Sequence, residues 1–157
     1  MQSKTSYARS FDKANGFTLV ELMLALIVIS ILTSVAYSSY SEAVDRARTN
    51  TAIADITRMG VVLERFFTDN ANYPDTLAEV DNSLDPWGNP YQYLNMSTVK
   101  GNGKKRKDRN LVPLNSDYDL YSQGPDGNSV SPLTAAASQD DIIRANNGGF
   151  VGKAEDY

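Results

Sequence analysis

The residues best suited to chemistry in this chain are three carboxylates near its C-terminal end. Asp126 lies in the turn-rich stretch Gln-Gly-Pro-Asp-Gly-Asn, and Asp140 and Asp141 follow a spacer rich in serine and alanine. Carboxylates that converge through a glycine-containing loop suit a hard, oxygen-seeking cation such as Ca²⁺. Because the stretch lacks the ligand spacing of an EF-hand, a solvated acidic loop explains the same pattern.

The composition disfavours most catalytic chemistry. The chain contains neither His nor Cys, which removes the commonest general base, the commonest zinc ligand and any disulfide. Two carboxylates can hydrolyse a glycosidic bond, but they need a rigid cleft, and these lie on a loop of Ser, Ala and Gly. We therefore expect no enzymatic activity. A membrane-tethered periplasmic enzyme or binding module is the alternative from a different class.

A further carboxylate, Glu21, lies inside an apolar run from Phe17 to Tyr40, where it is the only side chain expected to be charged. As a helix, this run reaches roughly 36 Å, which is enough to cross the hydrocarbon core of a bilayer. A carboxylate in hydrocarbon is costly unless it is paired or protonated. Glu21 therefore needs a partner, or a position from which it can reach the lipid headgroups.

The charge distribution orients this apolar run. Residues 1–16 carry three cationic side chains against Asp12, although the whole chain has a net charge of −4. A basic N-terminus before an apolar segment favours a cytoplasmic location for that end. The acidic remainder disfavours nucleic acid as a partner. We interpret the basic run from Lys104 to Arg109 as a solvated hairpin tip, because no aromatic side chains alternate with the charges.

The stretch Gly16-Phe17-Thr18-Leu19-Val20-Glu21 resembles the processing motif of type IV pilins and type II secretion pseudopilins. The resemblance implies that a prepilin peptidase cuts between Gly16 and Phe17 and methylates the new N-terminal amine of Phe17. It also implies that Glu21 pairs with the N-terminal amine of a neighbouring subunit and so directs assembly. Two positions depart from the family: Asn15, where a basic residue is frequent, and Ser38, where a proline is usual.

Two later stretches narrow the resemblance to one branch of the family. Asp-Pro-Trp-Gly-Asn-Pro-Tyr, which starts at Asp85, is similar to a motif of the major pseudopilins. The acidic loop, by which we mean residues 123–141, is similar to the stretch in which those proteins bind Ca²⁺. By this resemblance the side chains of Asp126, Asp140 and Asp141 would bind Ca²⁺, with carbonyl ligands from Gln123 and Asn128. A major type IV pilin for adhesion or motility is the alternative, but such pilins usually carry a Cys pair, which this chain lacks.

The resemblance implies an α+β, pilin-like fold in which a long N-terminal helix packs on a small antiparallel β-sheet, with a C-terminal calcium-binding loop. Residues 1–16 are predicted as the leader peptide, 17–40 as the transmembrane and filament-core helix, and 41–157 as a periplasmic domain. The helix is expected to continue to about Asp69, since apolar residues recur at three- or four-residue spacing beyond Ser41. These residues are Ala52, Ile56, Met59, Leu63 and Phe66. The alternating stretch Tyr118–Ser122 is predicted as the last strand, and the tail from Asn146 to Tyr157 is expected to fray.

The resemblance implies a structural role as the major subunit of a type II secretion pseudopilus. Its partners would be further copies of itself in a helical homopolymer, minor pseudopilins, the prepilin peptidase, an inner-membrane assembly platform and membrane lipid. The subunit would cross the inner membrane once, with its C-terminal domain in the periplasm, and enter the periplasmic pseudopilus on assembly.

Overall fold

The computed structural model describes residues 16–157 and contains one long helix at its start, α1, which spans Leu19–Asn70. The chain divides within this helix into two units. One ends at Ser41, and the other is Glu42–Tyr157. In the first unit every residue from Gly16 to Ser41 is exposed, including the apolar side chains that fill the run. Of the helices described, α1 is long and apolar enough, by length and composition, to cross a membrane.

In the second unit, as far as residues 42–157 show, four strands form one antiparallel sheet in the order β1-β2-β3-β4. The strands are β1 (Gln92–Asn95), β2 (Tyr118–Ser122), β3 (Ile142–Ala145) and β4 (Phe150–Lys153). The predicted α+β arrangement of a long helix and a small antiparallel sheet is therefore confirmed.

The C-terminal part of α1 packs on one face of this sheet. Its fully buried residues Ala52, Ile56, Met59 and Leu63 follow helical spacing, as predicted, and contact a core that includes Tyr118, Leu120 and Ile142. These contacts bury a continuous apolar stripe, which stabilises the helix far more than intrinsic helix propensity does.

The opposite face of the sheet carries a second, smaller core of five buried residues. Its members are Leu114, Leu133, Ile143, Ala145 and Ala154. Successive strand residues point to opposite faces, so neighbouring Ile142 and Ile143 serve the two cores separately. Leu114 and Leu133 come from the long connections around β2, which therefore cover this face of the sheet.

Two expectations about the C-terminal region are wrong. Tyr118–Ser122 is the second strand of the sheet, and β3 and β4 follow it. The tail does not fray, because β4 pairs with β3 along its whole length and the backbone N–H of Ala154 donates to the carbonyl of Asp141 at 2.9 Å. The buried Arg144 also fixes β3 to the start of β2, since its guanidinium forms two hydrogen bonds with Asp117 (2.6 and 2.9 Å).

Candidate functional site

The first candidate site is the start of α1, where Thr18 and Glu21 cap the helix. The Glu21 carboxylate accepts hydrogen bonds from the backbone N–H and the hydroxyl of Thr18, both at 2.9 Å. In return, the Thr18 hydroxyl accepts from the backbone N–H of Glu21 at 3.2 Å. This reciprocal pattern is a capping box, which satisfies backbone donors that a helix start leaves free. The spacing of Thr18 and Glu21 is typical of a capping box in the sequence. A capping box was not predicted from the sequence, because the processing motif assigned Glu21 to subunit assembly.

Gly16 and Phe17, the residues of the predicted cleavage site, lie in extended chain just before this cap. Both are exposed, and the Phe17 side chain is 85% exposed. An exposed, non-helical peptide bond is the form in which a protease can bind a substrate. The rest of the predicted leader, residues 1–15, lies outside the described residues.

The second candidate site is the acidic loop, where Asp126 and Asp140 lie close together. The backbone N–H of Asp126 donates to the Asp140 carboxylate at 3.4 Å, and the Asp126 carboxylate accepts from the backbone N–H of Asn128 at 2.7 Å. Gly124 permits this approach, because a Cβ at that position would lie 2.5 Å from the carbonyl oxygen of Asp140. Gly124 also has φ +65°, a left-handed conformation that side chains rarely adopt.

Asp141 is fully buried and is held by an ion pair with Arg106. A guanidinium nitrogen of Arg106 donates to Oδ2 of Asp141 at 2.6 Å, and the Ser129 hydroxyl donates to the same oxygen at 2.6 Å. Burial raises the pKa of Asp141, while the hydrogen bond from Ser129 and the charge of Arg106 oppose that rise. The solvated-loop interpretation is therefore wrong for Arg106, which is only 4% exposed.

The five predicted calcium ligands are only partly brought together. Asp126 and Asp140 approach each other, Gln123 is half-buried, Asn128 is exposed, and Asp141 contacts Arg106. Within residues 16–157 no group of three His, Cys, Asp or Glu side chains is placed to hold a metal ion. Calcium binding therefore stays a prediction.

One feature of the donor set suits a cation. Among the described residues, Oδ1 of Asp140 and Oδ1 of Asp141 are buried without a hydrogen-bond partner. Buried carboxylate oxygens without a donor are energetically unfavourable, and a hard cation is one group that would satisfy them. The chemistry of these two oxygens therefore fits Ca²⁺, although no coordination shell is formed around them.

The aromatic turn that starts at Asp85 is joined to the sheet next to this loop. Oδ1 of Asp85 accepts from the backbone N–H groups of Trp87 (3.0 Å) and Asn89 (2.8 Å). Its Oδ2 accepts from the Ser122 hydroxyl at 2.5 Å, at the end of β2. The Ser122 hydroxyl in turn accepts from the backbone N–H of Gly124, so the turn and the acidic loop share one buried hydrogen-bond network.

Comparison with known proteins supports the importance of the first site. The family described as "Prokaryotic N-terminal methylation motif" matches residues 12–37. The type II secretion system core protein G of Pseudomonas aeruginosa is 29% identical, over 72% of this chain and 84% of that protein. The core protein G of Aeromonas hydrophila is 26% identical, over 83% of this chain and 91% of that protein. That of Escherichia coli is also 26% identical, over 76% and 87%. No solved structure matches the chain.

The methylation motif, the exposed apolar helix and the helix-on-sheet domain are the features that the resemblance to pilins and pseudopilins predicts for this chain. Over most of its length it is similar to the type II secretion system core protein G, which confirms the resemblance to the pseudopilins that the sequence motifs indicated.

Proposed function

We propose that this chain is the major structural subunit of a type II secretion pseudopilus and helps to drive folded proteins across the outer membrane. The observation that carries the proposal is the exposed apolar half of α1, directly preceded by the processing motif. An apolar surface of this length must be covered by lipid or by protein. A subunit that waits in the membrane and then packs its helix against further copies satisfies that need in both states.

The proposed life cycle starts in the inner membrane. The subunit crosses it once, with the basic N-terminus in the cytoplasm and residues 41–157 in the periplasm. The prepilin peptidase removes residues 1–16 and methylates Phe17, and an assembly platform then adds the subunit to a filament that also contains minor pseudopilins. The chain catalyses no reaction and binds no nucleic acid in this scheme. A type IV pilus subunit is the second candidate, but every relative given above is named as a secretion protein.

In this scheme Glu21 aligns neighbouring subunits. After cleavage, the amine of Phe17 carries a positive charge inside or near hydrocarbon, where Glu21 is the nearby anion along the apolar run. Pairing between subunits neutralises both charges and fixes one helix axially against the next. The bonds between Glu21 and Thr18 supply the carboxylate with donors until such a partner arrives.

Ca²⁺ binding at the acidic loop belongs to the same proposal. Asp126, Asp140 and Asp141 would supply carboxylate oxygens, and Gln123 and Asn128 would supply carbonyls. The two buried oxygens without a donor, on Asp140 and Asp141, support this assignment. Tb³⁺ titration of the full chain in detergent should saturate at one site per chain, and Asp126→Ala should weaken it. Identical titrations of the two proteins would exclude Asp126 as a ligand.

Co-expression of the chain with a prepilin peptidase and a type II assembly system tests the proposed function. Mass spectrometry should find an N-terminal, methylated Phe17, and electron microscopy should find filaments. Glu21→Leu should leave cleavage intact and abolish most filaments, whereas the matched control Glu42→Gln, an exposed carboxylate farther along α1, should assemble normally. An uncleaved chain would contradict the proposal, and normal filaments from Glu21→Leu would remove Glu21 from the mechanism.

A further inference from the structure

One cation in the basic run of residues 104–109 differs from its neighbours by being buried. Lys104, Lys107 and Arg109 are exposed, as expected of a solvated loop, but the side chain of Arg106 is 5% exposed. Burying a guanidinium is costly unless it is paired and hydrogen-bonded. The position of Arg106 therefore requires a specific anionic partner inside the domain.

That partner is the acidic loop, which the Arg106 side chain contacts at two points. One guanidinium nitrogen donates to Asp141 at 2.6 Å and another donates to the Ser129 hydroxyl at 2.5 Å. Ser129 also donates to Asp141, so the three side chains form a closed triangle of hydrogen bonds. The guanidinium lies 4.0 Å from the centre of the Tyr121 ring, which adds a cation–π contact.

The backbone around Arg106 holds the side chain in this position. Its N–H donates to the buried Asp119 carboxylate at 3.1 Å, and its carbonyl accepts from the N–H of Leu114 at 3.1 Å. Both the backbone N–H and the backbone carbonyl of Arg106 are thus fixed by hydrogen bonds, which position its side chain next to Asp141, 35 residues away in the sequence. A group held in this way loses little conformational entropy when it forms the ion pair.

We infer that Arg106 is a built-in counter-ion of the acidic loop, which holds Asp141 in place without a metal ion. The loop carries adjacent carboxylates at Asp140 and Asp141, and one of them is fully buried. A single fixed positive charge at Asp141 is what this burial requires, and Arg106 supplies it. A metal ion would then add to an ordered loop through the remaining oxygens, instead of being needed to order it. This inference goes beyond the proposed function and does not depend on filament assembly.

Thermal unfolding of the full chain in detergent micelles, in the presence of a chelator, tests the inference. The only tryptophan, Trp87, packs against the core of residues 42–157, so its fluorescence reports on this unit and not on the micelle-bound half of α1. Arg106→Met leaves Asp141 buried without a cation, which should lower the unfolding midpoint by roughly 10–20 °C. The matched control Lys107→Met removes an exposed charge from the same loop and should shift the midpoint by no more than about 2 °C.

Two further measurements distinguish a counter-ion from a loop that depends on metal or on the bulk of the arginine side chain. Chelating metal from the wild-type chain should lower its midpoint by less than half the shift that Arg106→Met causes. The double variant Arg106→Met with Asp141→Asn removes both charges and should recover a large part of the loss, even if the single variant does not fold. The inference is overturned if Arg106→Met unfolds like Lys107→Met, if chelator alone destabilises the wild type as much as Arg106→Met does, or if the double variant is no more stable than the single one.

Discussion

The Asp85 carboxylate offers the sharpest test of how the aromatic turn is held. It is 4% exposed and accepts three hydrogen bonds, from the backbone N–H groups of Trp87 and Asn89 and from the Ser122 hydroxyl. Asp85→Ala removes both acceptor oxygens, and with them all three hydrogen bonds, and leaves the three donors in a region that water reaches poorly. We therefore expect this substitution to be among the most destabilising single changes in residues 42–157.

The size of the effect follows from the number of bonds. A hydrogen bond to a charged group contributes about 1.5–3 kcal/mol, so three bonds at the low end give about 4.5 kcal/mol. Removing the carboxylate also removes the cost of burying it, which offsets part of this loss. We expect a net loss of about 3–4 kcal/mol in the free energy of unfolding, a large share of the 5–15 kcal/mol typical of a domain.

Two smaller substitutions serve as matched controls. Asp85→Asn keeps an oxygen that can accept from both backbone N–H groups and changes only the contact with Ser122, so it should cost about 1–2 kcal/mol. Ser122→Ala removes the same contact from the other side and also the acceptor of the Gly124 backbone N–H, so it should cost somewhat more than Asp85→Asn. The order of stability should be wild type first, the two controls next and Asp85→Ala last.

Urea unfolding followed by Trp87 fluorescence measures these differences. The midpoint concentration should fall in the stated order while the slope stays constant, because the surface exposed on unfolding is the same in each variant. A loss below about 1 kcal/mol for Asp85→Ala would refute the reasoning, since a buried three-bond acceptor cannot be removed so cheaply. An Asp85→Asn variant as unstable as Asp85→Ala would show that the charge, and not the acceptor geometry, holds the turn.

Two further predictions concern alkaline pH and the acidic loop. Burial raises the pKa of Tyr118 from 10.0 to about 12. The stability that the neutral Tyr118 side chain contributes is therefore fully present below pH 10 and is lost as the pH rises through 12. Tyrosinate absorbance should rise together with the loss of the Trp87 signal, and ionisation of Tyr118 in the folded chain near pH 10 would contradict this expectation. Gly124→Ala should lower the free energy of unfolding by at least about 2 kcal/mol, because it strains the left-handed backbone and drives a methyl group into the Asp140 carbonyl. Urea unfolding measures this loss. Gly103→Ala is the control, because a Cβ at that position would contact nothing.

The long helix and its buried stripe could be predicted because both depend on local periodicity. Ala52, Ile56, Met59 and Leu63 recur at helical spacing, and all four are fully buried. The apolar start of α1 could also be predicted, because a helix that can cross a membrane is identified by length and composition alone.

The last two strands could not be predicted in this way. Every residue of β3 is buried, because the sheet has a core on both faces, so its sequence shows no polar–apolar alternation. β4 includes Gly152, and a glycine weakens the sequence pattern that predicts a strand. The strand conformation of β4 depends instead on its pairing with β3.

Arg106 was missed for a related reason. Its polar partners Ser129 and Asp141 lie 23 and 35 residues further along the chain, so nothing next to it distinguishes it from the solvated cations of the same run. The acidic loop itself was found through its residue types. Which of its carboxylates pairs with a side chain, and which keeps free oxygens, depended on contacts that the sequence pattern does not contain.

The cover on the second face of the sheet has a consequence for how such a subunit can diversify. The residues that close this face, Leu114 and Leu133, come from long connections and not from a second layer of helices or strands. Connections tolerate insertion and deletion at small energetic cost, because the entropy of closing a loop grows slowly with its length. The core between the helix and the sheet can therefore stay constant while the connections that cover the second face of the sheet change in length and sequence.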